Sequence, residues 1–178
     1  DSPIPPSRRQ KTSRPTIRSS SMPVARAPTR RPASAVGGTF TGEVLQDMAR
    51  INRRPIVLAL SNPTSKSECT AEQAYRHTGG RALFACGSPF PSVTIDGRQF
   101  VPRQGNNSYI FPGVGLGAIA SGTERITDEM FLGAAETLAR LVTEADLAQG
   151  SLYPALPRIR EVSAHIAADG TIDFDREF

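Results

Sequence analysis

The apolar run Ile56-Val-Leu-Ala-Leu60 is the feature that most limits what this chain can become. It is short, β-branched at its start, and bounded by Pro55 and the polar stretch Ser61-Asn-Pro-Thr64, which fits a strand buried on both faces. A second run, Ala82-Leu-Phe-Ala-Cys86, ends in the glycine turn Gly87-Ser-Pro. Between them, Thr70 with Gln73 three residues later spells a capping box, and the helix it opens should stop at Gly79-Gly80. Strand, helix and strand in this order predict an α/β fold. In such sheets ligands collect where the strands end. The loops Ser61–Thr64 and Gln104-Gly-Asn-Asn-Ser108 therefore draw attention, because side-chain amides both donate and accept and suit a ligand bearing a carboxylate and a carboxamide.

The rest of the chain extends the pattern. Thr41 should cap a helix over 42–51 with Val44, Leu45, Met48 and Ile51 on one face. Ser92–Ile95 and Arg98–Val101 around Asp96-Gly97 predict a β-hairpin, read as a surface ornament over part of a cleft. Thr127 should cap a helix over 128–142, buried through Phe131, Ala134, Leu138 and Leu141. A short turn over 143–148 follows, then a last helix opened by Pro157 and ended at Asp169-Gly170. Gly115-x-Gly117-x-x-Ala120 imitates a dinucleotide fingerprint. Pro112-Gly113 interrupts any strand before it, so these glycines are expected to serve close helix packing instead.

Charge separates the two ends. Residues 1–42 carry seven Arg, one Lys and one acid, a balance of +7, whereas the remainder carries 13 bases and 16 acids, a balance of −3; these sum to +4. The basic character belongs to a Pro/Arg/Ser-rich segment, 1–34, without apolar periodicity, which predicts a disordered tail. The mildly acidic remainder gives no reason to expect nucleic acid. No apolar run approaches the ~20 residues that span a bilayer. Cys69 and Cys86 have no metal-ligand spacing and read as buried free thiols, and His77 and His165 lie too far apart for a ligand pair.

Three motifs in order, Ala-Leu-Ser-Asn-Pro-Thr-Ser-Lys-Ser-Glu-Cys-Thr-Ala-Glu-Gln-Ala (59–74), Phe-Ala-Cys-Gly-Ser-Pro-Phe (84–90) and Gln-Gly-Asn-Asn-Ser-Tyr-Ile-Phe-Pro-Gly (104–113), closely resemble the malic enzymes. The likeness covers about 35–168 and falls on the C-terminal part of their nucleotide-binding domain. It implies a partial Rossmann-like domain at 35–168, flanked by the basic tail at 1–34 and a divergent tail at 169–178. Malic enzymes oxidise malate by hydride transfer to NAD or NADP, then decarboxylate and protonate to pyruvate on a divalent metal, Mg or Mn. The resemblance implies that Asn62, Asn106 and Asn107 bind substrate, with Asn62 and Asn106 also beside the cofactor. It further implies a homo-oligomer, in the cytoplasm or, from the Arg/Ser-rich start, the mitochondrion. Cys86 stands where the family usually carries a small hydroxyl residue.

The family's tyrosine acid, lysine base, metal-binding acids and Gly-rich loop belong to upstream segments that match nothing here. Tyr75, Tyr109 and Tyr153 with Lys11 and Lys66 recreate no recognisable acid–base pair, so no catalytic residue and no metal ligand is expected in this chain. Two readings follow. The chain is part of a malic enzyme that works only with its missing portion, or it is a non-enzymatic remnant or module docking on a full-length relative.

Overall fold

The computed structural model describes residues 24–25 and 37–174. Four strands form a parallel sheet in the order β1 (Val24–Ala25), β2 (Ile56–Ala59), β3 (Leu83–Cys86), β6 (Arg103–Gln104). The expected strands are shorter by one residue at one end. β6 is an addition that two polar residues did not announce; it exists because β3 offers it a ladder, Ala85 opposite Arg103 and Cys86 opposite Gln104. β1 pairs Val24 with Ile56 and Ala25 with Val57, inside the segment read as a disordered tail. The rest of that tail lies outside the described residues.

Local chemistry explains the helices. Helix α1 (Gly42–Ile51) is capped by Thr41 as expected. Its buried face runs through Leu45 and Ala49, while Val44 and Ile51 are exposed, so the predicted stripe is rotated. Helix α2 (Ala71–His77) has the capping box of Thr70 and Gln73. It is the crossover between β2 and β3, and it buries Ala71, Ala74 and Tyr75 against the sheet.

The hairpin β4 (Val93–Ile95) and β5 (Arg98–Phe100) turns at Asp96 and Gly97, both at positive φ. It is more than an ornament. Phe100 is fully buried and stacks on Tyr75 with ring centres 4.4 Å apart, and Val93 and Ile95 pack on the same core. An aromatic of this size contributes roughly 2–3 kcal/mol by burial alone.

The C-terminal third is helical. Helix α3 (Phe111–Ser121) crosses α6 (Ile159–Phe174) closely enough that a Cβ at Gly113 would meet Ile166 at 2.7 Å. Gly117 faces Ala167 in the same way. Gly113 and Gly117 therefore serve helix packing, while Gly115 faces open space; all three lie within α3 and away from any strand-to-helix turn. Helix α4 (Asp128–Arg140) buries Ala134 and Leu138 in the second core with Tyr109, Val114, Val162 and Ile166, while Phe131 turns outward. The expected turn over 143–148 is a short helix, α5 (Glu144–Ala148), capped reciprocally by Thr143 and Asp146.

One boundary needs correction. α6 does not end at Asp169-Gly170 but continues to Phe174. A mid-helix glycine costs only about 1 kcal/mol. Asp169 offsets it by accepting from Thr137 Oγ1 at 2.6 Å and pairing with Arg140 at 2.5 Å, which anchors the helix to α4.

Candidate functional site

Because β2, β3 and β6 are parallel and adjacent, the loops that follow them leave from one edge. Leu60-Ser61-Asn62 follows β2, Gly87-Ser88 follows β3, and Gly105-Asn106-Asn107 follows β6. The ladder runs on into these loops: Gly87 N–H donates to Ala59 O at 3.0 Å, and Gly105 N–H donates to Cys86 O at 2.9 Å. Gln104 Nε2 then donates to Gly87 O at 3.1 Å.

The fit is tight at Gly87. A Cβ there would stand 2.1 Å from Leu60 O and 3.1 Å from Asn62 Oδ1, so only glycine lets the first two loops touch. Ser88 Oγ donates to Asn62 Oδ1 and ties the first asparagine to the second loop. The peptide Asn62–Pro63 is cis.

Buried Glu68 holds the first loop from below. Its carboxylate accepts from Ser61 N–H at 3.1 Å and from Ser61 Oγ at 2.5 Å. Charge-assisted bonds of this kind are among the stronger ones in proteins.

The three asparagines differ in how much the protein uses them. Asn106 Oδ1 accepts from Ser108 N–H at 2.9 Å and from Ser108 Oγ at 2.8 Å, capping the single 3₁₀ turn Asn107–Tyr109. It is a turn-former as well as a candidate ligand group, and its Nδ2 remains available. Asn62 likewise spends its oxygen on Ser88 and keeps its Nδ2. Asn107 makes no side-chain hydrogen bond among the described residues. All three are exposed. The edge thus presents neutral amide donors, two of them (Asn62 and Asn106) held in place by their own carbonyl oxygens, suited to orienting carboxylate or carboxamide oxygens.

Around them the titratable groups are quiet. Burial pushes the Cys86 thiol up to about 11 and the Cys69 thiol up to about 12, the Glu68 carboxylate adding to the latter. Both stay protonated and unreactive at neutral pH. Cys86 Sγ donates to Arg103 O at 3.3 Å. Burial also raises the phenols of Tyr109 and Tyr153, which stack with centres 5.5 Å apart behind the third loop. Tyr109 OH donates to Pro154 O at 2.6 Å, a structural use.

Among the described residues, no group of three or more His, Cys, Asp or Glu could hold a metal ion. No helix among them is long and apolar enough to cross a membrane. Ser88 and Glu68 are not candidates on the sequence alone. Ser88 could have been, because it follows β3 as Asn62 follows β2; Glu68 carries no such positional signal.

Comparison with known proteins places this edge in context. The family model described as malic enzyme, NAD binding domain, matches residues 32–171. The chain is 56% identical over 137 residues to an NADP-dependent malic enzyme of Vitis vinifera, covering 77% of this chain and 23% of that protein. It is 60% identical over 135 residues to a mitochondrial NADP-dependent malic enzyme of Mus musculus, and 58% over 135 residues to that of Homo sapiens. Those two alignments each cover 75% of this chain and 22% of the relative. The chain therefore spans less than a quarter of the length of these relatives.

Proposed function

The chain belongs to the malic enzyme family as a segment of its NAD-binding domain, and from that premise we propose that it serves the oxidative decarboxylation of malate to pyruvate, with NAD(P) as hydride acceptor. The observation that carries this reading is the shared sheet edge, where Asn62, Asn106 and Asn107 follow two parallel strands, β2 and β6, of one sheet. In this reading all three amides bind malate, and Asn62 and Asn106 also face the nicotinamide end of the cofactor.

Two properties suit the amides to that role. They are neutral, so they orient the substrate's oxygens without competing with charges supplied by other segments of the enzyme. Asn62 and Asn106 are also held by Ser88 and Ser108, which fixes the direction of their free Nδ2 groups before ligand arrives. NADP is favoured as the acceptor by the names of the relatives above.

The dinucleotide would supply hydride acceptance. Gly115 and Gly117 lie inside α3 and offer no phosphate turn. The divalent metal does not fit the described residues, which hold no group of three or more His, Cys, Asp or Glu able to bind it. The compartment we assign is cytoplasmic, with the mitochondrion as the alternative that the mouse and human names carry.

The test is side-chain amide NMR of the ¹⁵N-labelled chain titrated with malate and then NADP. The Nδ2 resonances of Asn62, Asn106 and Asn107 should move together, and saturably. Shifts confined to other residues would refute the assignment of the edge.

A further inference from the structure

The same sheet has an opposite edge, where strands begin. Arg53 and Arg54 lie just before β2 and Arg81 just before β3, and Arg98 of β5 reaches the same place. The four guanidinium groups line a cavity of about 350 Å³ whose single lining carboxylate is Glu144. Four positive charges against one negative leave a formal balance of +3.

Three of the arginines are fixed without being neutralised. Arg54 Nη2 donates to Leu147 O at 2.8 Å, and Arg98 donates to Ala148 O at 2.6 Å and Gly80 O at 3.3 Å. Arg81 donates to Thr78 O at 3.1 Å and Asn52 O at 3.3 Å. These acceptors are all backbone carbonyls, two of them at the C-terminal end of α5. They orient the guanidinium forks and cancel no full charge.

A guanidinium has five N–H donors, so each of these three keeps donors unspent. Arg53 makes no side-chain hydrogen bond or ion pair among the described residues. None of the four belongs to an ion pair there, although Arg50, Arg76, Arg103, Arg140 and Arg158 do. Cations gathered this closely repel one another, and a multivalent anion would relieve that repulsion. Planar forks match phosphate and carboxylate oxygens two at a time.

We propose that this cavity binds a compact multivalent anion with phosphate or carboxylate oxygens, independently of the amide edge.

The full-length chain is titrated by calorimetry with pyrophosphate and, in a second arm, with citrate; the tighter of the two identifies the source of the oxygens. Arg53→Glu removes a cation that supports nothing in the fold and should weaken binding about tenfold. Glu144→Gln removes the opposing carboxylate and should tighten binding about threefold. Opposite signs from two single substitutions are the signature of this cavity. The Arg-rich stretch 1–42 is the competing site, and binding there would ignore both changes. Affinity unmoved by either substitution, or no heat from either anion at about 10 mM, overturns the proposal. A variant that fails to fold leaves the other to decide.

Discussion

Where β2, β3 and β6 end, the polar groups are amides and hydroxyls tied to one another across three loops; where β2 and β3 begin, they are guanidinium groups tied to backbone carbonyls. Both edges are pre-organised, but toward different ends. The amide edge fixes direction and carries little charge, so it can orient a substrate whose charge is balanced by other groups. The arginine edge carries four positive charges against the single carboxylate of Glu144, so it can hold an anion of several shapes. A parallel sheet permits this division because its two edges share a scaffold and no side chains.

The largest expected effect concerns the amide edge. The chain alone, with malate, Mn²⁺ and NAD or NADP, should reduce no cofactor measurable by absorbance. In the proposed role the amides only orient substrate; an amide side chain neither takes the hydroxyl proton nor by itself holds a metal. General acid–base assistance is worth roughly 10²–10⁴-fold, and a metal contributes several kcal/mol beyond that. Steady reduction at the rate of an intact dehydrogenase would mean that a proton-transfer group lies at this edge after all. In an enzyme completed with the family's other segments, Asn106→Ala should lower turnover about 100-fold by spoiling the near-attack geometry. An unchanged turnover would leave Asn106 with its capping role only.

Next comes a change that should separate the edges. Gly87→Ala would drive a methyl group to 2.1 Å from Leu60 O, a backbone atom that cannot swing aside. Forcing the first two loops apart should cost about 3 kcal/mol in chemical denaturation, at the upper end of ordinary overpacking. The amide resonances of Asn62 should shift, while the pyrophosphate response of the arginine edge should not. A loss below about 0.5 kcal/mol would show that the loops adjust freely and that the edge is not held by this contact.

Much of this layout could be read before any coordinates, and the reasons for the exceptions are local. Ile56–Ala59 and Leu83–Cys86 announce themselves as unbroken apolar runs, although only β3 is buried on both faces; in β2 Val57 and Ala59 are buried while Ile56 and Leu58 are half-buried. Thr41, Thr70 and Thr127 announce helices because an N-cap hydroxyl is chosen by backbone geometry alone. Arg103–Gln104 does not announce a strand, since its ladder is supplied by β3 and not by its own propensity. The rotated face of α1 follows the same logic: Val44 and Ile51 are apolar, yet the sheet and α2 take Leu45 and Ala49.

The edges contrast again here. Asn62, Asn106 and Asn107 stand out as a motif close to glycines. The arginine edge is assembled from four positions spread over 46 residues, and each arginine alone looks like solvated surface. Glu68 was missed for a related reason: its partner, Ser61, is seven residues away across a loop whose shape only folding fixes.

The smallest effect expected lies at the joint between the two edges. Arg103 of β6 pairs with Asp146 of α5 at 2.6 Å, with both side chains mostly buried, and also donates to Tyr153 O at 2.7 Å. One partner leads into the amide loop, while the other sits in the helix whose carbonyls hold Arg54 and Arg98. Burial pushes the Asp146 carboxyl up, but hydrogen bonds from Thr143 and Arg103 outweigh it and hold the group below its ordinary range. A depressed folded-state pKa adds stability that is fully present above the unfolded value, about 4, and is lost as pH falls through the folded value. Asp146→Asn keeps a capping side chain for α5 and removes the charge. It should cost about 2 kcal/mol at pH 7, the worth of hydrogen bonds to an ionised group. The gap between wild type and variant should close on acidification below about pH 4. Denaturation curves at pH 7, 5 and 3 decide the matter. A gap that stays constant with pH would mean the carboxylate's charge adds nothing, and that the edges are joined by packing alone.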